Sequence, residues 1–225
     1  MSSSEIPGSG KLSSMKLVYL SEMRLPTKNA HGFQIMNMCS AFAEAGTEVL
    51  LLAPWRKNLL QEEPFAFYGV KPNFTVKKLP AIDLYPFRFM PERISSFIHL
   101  FSFLLMARIY LFFKPFDVLY TREKYAALFF RNFIYEVHMP EQMRLYGFKP
   151  RKIIVVTDYI KKKLVYSGLL EDKILVAPDA VNLEMFPKMS KEIARKRLGF
   201  PLDKSIVLYW GNFKRWKGVD TFAEA

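Results

Sequence analysis

Two short aliphatic runs, residues 153–156 (IIVV) and 174–176 (ILV), limit the possible folds of this chain more than any other feature. The first, continuous and β-branched, reads as a parallel strand covered on both faces, since a half-exposed strand would alternate, and the second reads as a further short strand. Between the runs, Asp158 stands where a helix cap is needed. Ile160, Leu164 and Val165 keep one apolar face, and Lys161, Lys162 and Lys163 cover the rest. Gly168 ends that helix. Strand, helix, strand is a parallel crossover. Its second strand delivers Pro178, Asp179 and Asn182 into a loop at its carboxyl end, where open parallel sheets bind ligands.

The same grammar opens the chain. Residues 16–20 predict a strand, and a helix follows over about residues 33–45 with Ile35, Met38, Cys39, Phe42 and Ala43 as its apolar stripe. Gly46 closes the helix, and residues 49–52 are the next strand. No G-x-G-x-x-G lies in this unit, which counts against a nicotinamide site. Gly32, at the start of the helix, would let a substrate approach backbone N–H groups, with His31 beside it. The plainer reading is an ordinary glycine at a helix start and a solvent-exposed histidine.

Residues 74–78 predict a strand and residues 80–91 a Pro-rich surface segment. Residues 94–113 are the most apolar run, and as a helix they would extend about 30 Å, enough to cross a bilayer. His99 and Arg108 interrupt the run, so the main expectation is a crossover helix packed on the sheet. Partial seating in a membrane interface is the lesser one. Residues 117–120 form a further strand, after which Arg122 could meet an anionic ligand or pair with Glu123 or Glu136; pairing is preferred. Residues 134–138 put His138 at a strand's carboxyl end, and residues 141–145 leave room for one turn of helix before Arg151. Ser190 caps a basic helix ended by Gly199, residues 205–210 predict a strand, and Val219 starts a last helix.

Three ordered stretches resemble retaining GT-B glycosyltransferases of glycosyltransferase family 4. They are residues 178–182 (PDAVN) with Phe186, residues 208–211 (LYWG) with 216–220 (WKGVD), and the loop after the first strand. Tyr120-Thr121-Arg122 and Glu136-x-His138 are similar to the family as well. Departures are Ala180 and Asn182 in the turn, Asn212 where the family has Arg, and a short segment after His138. The resemblance implies an α/β chain with a Rossmann-like parallel sheet flanked by helices, followed by an incomplete second Rossmann-like domain. Its expected divisions are a leader (1–14), an acceptor-side domain (15–186), a linker helix (187–203) and the start of a nucleotide-sugar-binding domain (204–225).

The resemblance implies a catalytic role for His138, orienting an acceptor hydroxyl or holding a donor sugar oxygen. It puts His31, Gly32, Arg122, Thr157 and Asp179 at the substrate. Gly211, Lys214, Arg215 and Lys217 would face the donor diphosphate, although an exposed basic loop explains Lys214 and Arg215 equally well. The co-substrate would be a nucleotide-diphosphate sugar, with no cofactor and no metal; His31, His99 and His138 form no ligand spacing. The family's donor-sugar carboxylates lie past residue 225, so little or no turnover is expected of this chain alone.

The net charge of +12 suits anionic partners, whether nucleotide diphosphates, lipid headgroups or nucleic acid. Nucleic acid ranks last, because no basic stripe of stacking aromatics is present. A single cysteine, Cys39, excludes a disulfide framework and fits a reducing compartment. Residues 1–14 lack the apolar core of a signal peptide, so the expected location is the cytoplasm, with peripheral contact at the inner membrane face. Expected partners are the donor, an unidentified acceptor and a partner chain completing the donor domain. The alternative from another class is a non-catalytic basic module docking on anionic membrane or on that partner.

Overall fold

The computed structural model describes residues 15–85, 90–139, 150–183, 186, 188–211, 213 and 217–224. In chain order the first elements are β1 (Lys16–Leu20), α1 (Ala30–Glu44), β2 (Glu48–Pro54), α2 (Pro64–Tyr68), β3 (Thr75–Leu79) and α3 (Glu92–Phe112). Then come β4 (Val118–Thr121), a 3-10 turn (Lys124–Leu128), β5 (Phe133–Val137), β6 (Lys152–Val155), α4 (Asp158–Tyr166) and β7 (Ile174–Val176). The strands form one seven-stranded parallel sheet in the order β3-β2-β1-β4-β5-β6-β7. A parallel α/β sheet with helices on both faces, as the resemblance implied, is what these residues form.

Sheet order and helix sides follow from one rule. Crossovers between parallel strands are right-handed, so stepping outward from β1 and stepping back toward β7 place helices on opposite faces. Leu17 and Tyr19 point to a core shared with Ile35, Met36 and Cys39 of α1. Val18 and Leu20, alternating with them, point to the other core, with Phe103, Leu104 and Ala107 of α3 and Ile160 and Leu164 of α4. Every position of β1 after Lys16 is buried, which is why the strand reads as an unbroken apolar run. Between β1 and β4 the direction of winding reverses, and such switch points open a crevice at the carboxyl ends of the strands.

Several expectations shift. Helix α1 begins at Ala30, so His31 and Gly32 lie inside its first turn and not ahead of it. The cap of α4 is Thr157, whose Oγ1 accepts from the Ile160 N–H (3.3 Å); Asp158 sits one place later, where its charge meets the positive end of the helix. Helix α3 is the sheet-packed crossover, with His99 turned into the protein against the Ile82 carbonyl (3.1 Å) and Arg108 outside.

The chain divides into two compact units, Met1–Asn182 and Leu183–Ala225. In the second, α5 (Lys191–Leu198) is capped by Ser190, whose Oγ accepts from Ile193 N–H (3.3 Å), and Gly199 turns out of it at φ 67°. A last helix, α6, spans Val219–Glu224. Residues 205–210 are not a strand: a strand exists by pairing, and no described residue pairs with them. The expected turn at 141–145, the leader 1–14 and residues 86–89 of the Pro-rich segment lie outside the described residues.

Replacing Thr157 by Ala is expected to lower stability by about 1 kcal/mol. Asp158→Ala, which removes only a charge near the helix end, should cost a few tenths of that; urea midpoints of the two variants decide which residue caps α4.

Candidate functional site

Parallel pairing carries β1 and β4 out of the sheet side by side. Leu20 pairs with Thr121, so the next residues, Ser21-Glu22 and Arg122-Glu123, emerge as neighbours. Thr121 Oγ1 donates to the Leu20 carbonyl (2.9 Å) and accepts from Glu123 N–H (2.9 Å). Glu22 N–H donates to Glu123 Oε1 (3.0 Å), locking the two strand ends together. With Met23 and with His31 and Ile35 of α1, these residues line a cavity of about 310 Å³ at the switch point.

Charges in that cavity are shifted by their surroundings. Burial, and then the neighbouring Glu123, push the Glu22 carboxyl up to about 7, against the opposing pull of Arg56. Burial also raises Glu123, countered by the Glu22 N–H and by Arg122. His31 is pushed down by burial and then by the Arg122 charge, which keeps its imidazole neutral near pH 7. One carboxyl poised near neutrality, a neutral imidazole and a fixed guanidinium together can exchange a proton with a bound hydroxyl.

A second group adjoins it at the end of β5. Glu136 is buried, and its Oε2 accepts from Tyr120 OH (2.8 Å) and Tyr19 OH (3.3 Å). Its Oε1 accepts from Gln34 Nε2 (3.0 Å) and meets His138 Nε2, with Arg122 Nε at 3.9 Å. Gln34, on α1, also takes a hydrogen bond from Arg122 Nη1 (2.6 Å) and donates to Asp179 Oδ1 (2.6 Å). Burial works against ionisation of Glu136, but hydrogen bonds from His138 and Tyr120 and the Arg122 charge outweigh it, so its carboxyl stays below the usual range. The opposite holds for Tyr120, raised by burial and then by the Glu136 charge.

His138, Arg122 and Asp179 are thus brought into one network through Gln34 and Glu136, and His31 lies in the adjoining cavity. Arg122 pairs with Glu136 and not with Glu123. The space that Gly32 leaves is taken by the protein itself: a Cβ there would strike Tyr68 Oη and come within 2.7 Å of Thr27 Cγ2. Tyr68 OH accepts from Thr27 N–H (2.7 Å) and donates to the Thr27 carbonyl (2.9 Å), pinning the loop between β1 and α1. The Gly32 N–H is already bonded to the Asn29 carbonyl (3.0 Å). Thr157 is occupied in capping α4. In the second unit, a Cβ on Gly211 would lie 3.1 Å from Tyr209 Oη and 3.6 Å from Lys217 Nζ. Lys214 and Arg215 fall outside the described residues.

Sequence reading passed over Glu22 and Gln34 and took Glu123 only as a partner for Arg122. Glu22 and Glu123 each stand two residues past an apolar strand, which was the available signal. That β1 and β4 are neighbours was not visible, because β2, β3 and α3 intervene. Histidine spacing alone also missed a mixed group: ligand atoms of Glu136, His138 and Asp179 lie within 4.8 Å of one another. Both Glu136 oxygens already accept hydrogen bonds, and a cation there would displace Gln34 and face the Arg122 guanidinium. The arrangement is an imidazole oriented by a carboxylate, suited to holding or moving a proton at a bound hydroxyl.

No family model and no curated protein matches this chain. Solved structures do. Sucrose-phosphate synthase from Thermosynechococcus elongatus aligns at 17% identity over 93% of this chain and 59% of that one, with TM-score 0.66. A glycosyltransferase from Rickettsia africae ESF-5 aligns at 15% over 92% and 55% (TM-score 0.57). Anabaena HepE, solved in complex with UDP-glucose, aligns at 11% over 82% and 50% (TM-score 0.53). The chain spans between half and about three-fifths of the length of these proteins. At such identities the likeness shows the fold alone; half-folds of this kind occur in nucleotide-sugar epimerases too.

Gly32→Ala is expected to lower stability by about 1–3 kcal/mol. Combined with Tyr68→Phe, which removes the oxygen in the way, the loss should be smaller than the sum of the single losses, read by a urea double-mutant cycle. A raised carboxyl favours the folded state while protonated, so stability should fall as pH rises from 4.5 through about 7. Glu22→Gln should flatten that slope; an unchanged slope would remove Glu22 as its source.

Proposed function

We propose that this chain is the acceptor-side half, with the opening of the donor-side domain, of a retaining GT-B glycosyltransferase resembling family 4. The observation that carries the reading is the His138–Glu136 pair at the end of β5, beside the switch point, tied by Gln34 to Arg122 and Asp179. Enzymes that move a sugar from a nucleotide diphosphate must orient an acceptor hydroxyl and stabilise charge on the departing phosphate. His138 does the first: Glu136 fixes its ring, and the ring accepts a hydrogen bond from the acceptor hydroxyl. His31, Arg122 and Asp179 complete the substrate surface, while Gly32 and Thr157 hold the neighbouring backbone in place. Lys217 and the backbone at Gly211, with Lys214 and Arg215, do the second, supplying fixed positive charge without a metal. The donor is a nucleotide-diphosphate sugar, and the compartment is the cytoplasm, where the buried Cys39 stays reduced.

The 225-residue chain, incubated with radiolabelled nucleotide sugars and oligosaccharide or lipid acceptors, should show no transfer by itself. Robust transfer from it would overturn the half-site reading. In a chain joined to a complete donor domain, His138→Ala should lower kcat by about 10²–10⁴ while donor Kd holds, and EDTA should leave the rate unchanged. A second reading, a non-catalytic module completed by another chain, draws support from residues 205–210, where Val207, Leu208 and Trp210 are exposed and no described strand pairs with them.

A further inference from the structure

Helix α3 has two apolar faces. At 3.6 residues per turn, Leu100, Phe103, Leu104, Ala107 and Leu111 gather on one side and are buried in the sheet core. On the opposite side, Ile94, Phe97, Phe101, Leu105, Ile109 and Phe112 fall within about 60° of a single line along the helix. Each of these six exposes between 43% and 73% of its surface. Single exposed hydrophobics are ordinary, but a continuous stripe along a 21-residue helix is an interaction surface. The stripe widens sideways, where Phe101 meets Phe129 edge-on (5.0 Å) and Leu128 is exposed.

We propose that this outer stripe of α3 seats the protein on an anionic bilayer, lying in the interface without crossing it. Crossing is ruled out by the inner face: Phe103, Leu104 and Ala107 are fully buried against the sheet, and extracting them would dismantle the core. The surroundings are basic. Exposed Arg93 and Lys114 stand at the two ends of the helix, Arg108 lies within the stripe about 40° from its axis, and exposed Lys124 and Arg131 bracket Leu128 and Phe129 in the chain. Lys162 and Lys163 are exposed on α4, which packs on the same face of the sheet. The acids on these elements are fewer: Glu92, Asp117 with an Oδ2 that accepts from Lys16 N–H, Asp158 beside Lys162, Asp172, and Glu171 paired with Lys161 (2.9 Å).

Apolar side chains ringed by cations match an acyl boundary under anionic headgroups. A protein partner would be expected to find polar groups to bond at roughly one per 100–200 Å², and along the stripe itself the helix backbone is internally bonded and Arg108 is the sole polar side chain near its axis. The seat stands independently of the transferase reading, since it uses none of the switch-point residues.

The test is co-sedimentation of the 225-residue chain with vesicles of phosphatidylcholine alone or mixed with phosphatidylglycerol. Wild type should bind the mixed vesicles and bind pure phosphatidylcholine more weakly. Phe97→Ser/Phe101→Ser/Leu105→Ser should lose more than about tenfold in affinity with an unchanged near-UV circular dichroism spectrum. Leu105→Cys carrying an environment-sensitive fluorophore gives a readout that needs no truncated core, because Cys39 is buried away from the label. Its emission should shift to the blue on anionic vesicles. Absence of vesicle binding, an unshifted fluorophore, or a lipid-free dimer that the triple variant turns into monomer would overturn the proposal, the last by assigning the stripe to a second copy.

Discussion

The hydrogen-bonded pairing of β1 with β4 is the constraint on which the rest of this structure depends. Leu20 against Thr121 fixes the register, and that register sets Glu22 beside Glu123 and Arg122 within reach of α1. Were the pairing to slip by one residue, Val18 and Leu20 would exchange faces with Leu17 and Tyr19, emptying both cores at once. The same reversal of winding opens the cavity. Structure and site therefore share a single cause.

Burying the Glu136 carboxylate is the second demand, because an unpaired charge in that position would cost several kcal/mol. Four elements answer it: Tyr19 from β1, Gln34 from α1, Tyr120 from β4 and His138 just past β5. A network satisfied on every side is rigid, so the imidazole it holds is aimed before any ligand arrives. Gln34 extends that order to Asp179 in the loop after β7. The glycine at position 32 serves the same end indirectly, by letting Tyr68 pin the loop that precedes Gln34.

Much of the fold was legible beforehand. The runs at 16–20 and 153–156 became β1 and β6 because a strand covered on both faces has no polar positions to disguise it, whereas 174–176 became β7, an edge strand whose Leu175 is exposed. Gly168 and Gly199 ended their helices with positive φ, as glycines do. The cap of α4 was misread by one residue, since Thr and Asp cap alike and only backbone geometry separates them. Residues 205–210 looked like a strand by composition, but pairing is a property of two segments and cannot be seen in one.

By itself the sequence determined an alternation of buried parallel strands and amphipathic helices, a basic surface, and strand ends carrying Arg122, Glu136 and His138. These are local matters, set by periodicity and by residue type. Only the tertiary structure decided that β1 lies against β4, that Glu22 therefore shares a cavity with His31, and that Gln34 joins His138's carboxylate to Asp179. Only it decided which side of α3 faces the core, since that helix is apolar on two sides and Ser95 and His99 are buried while Arg108 is exposed. Contacts between distant segments depend on the order in which strands pair, and that order follows from packing the whole chain at once.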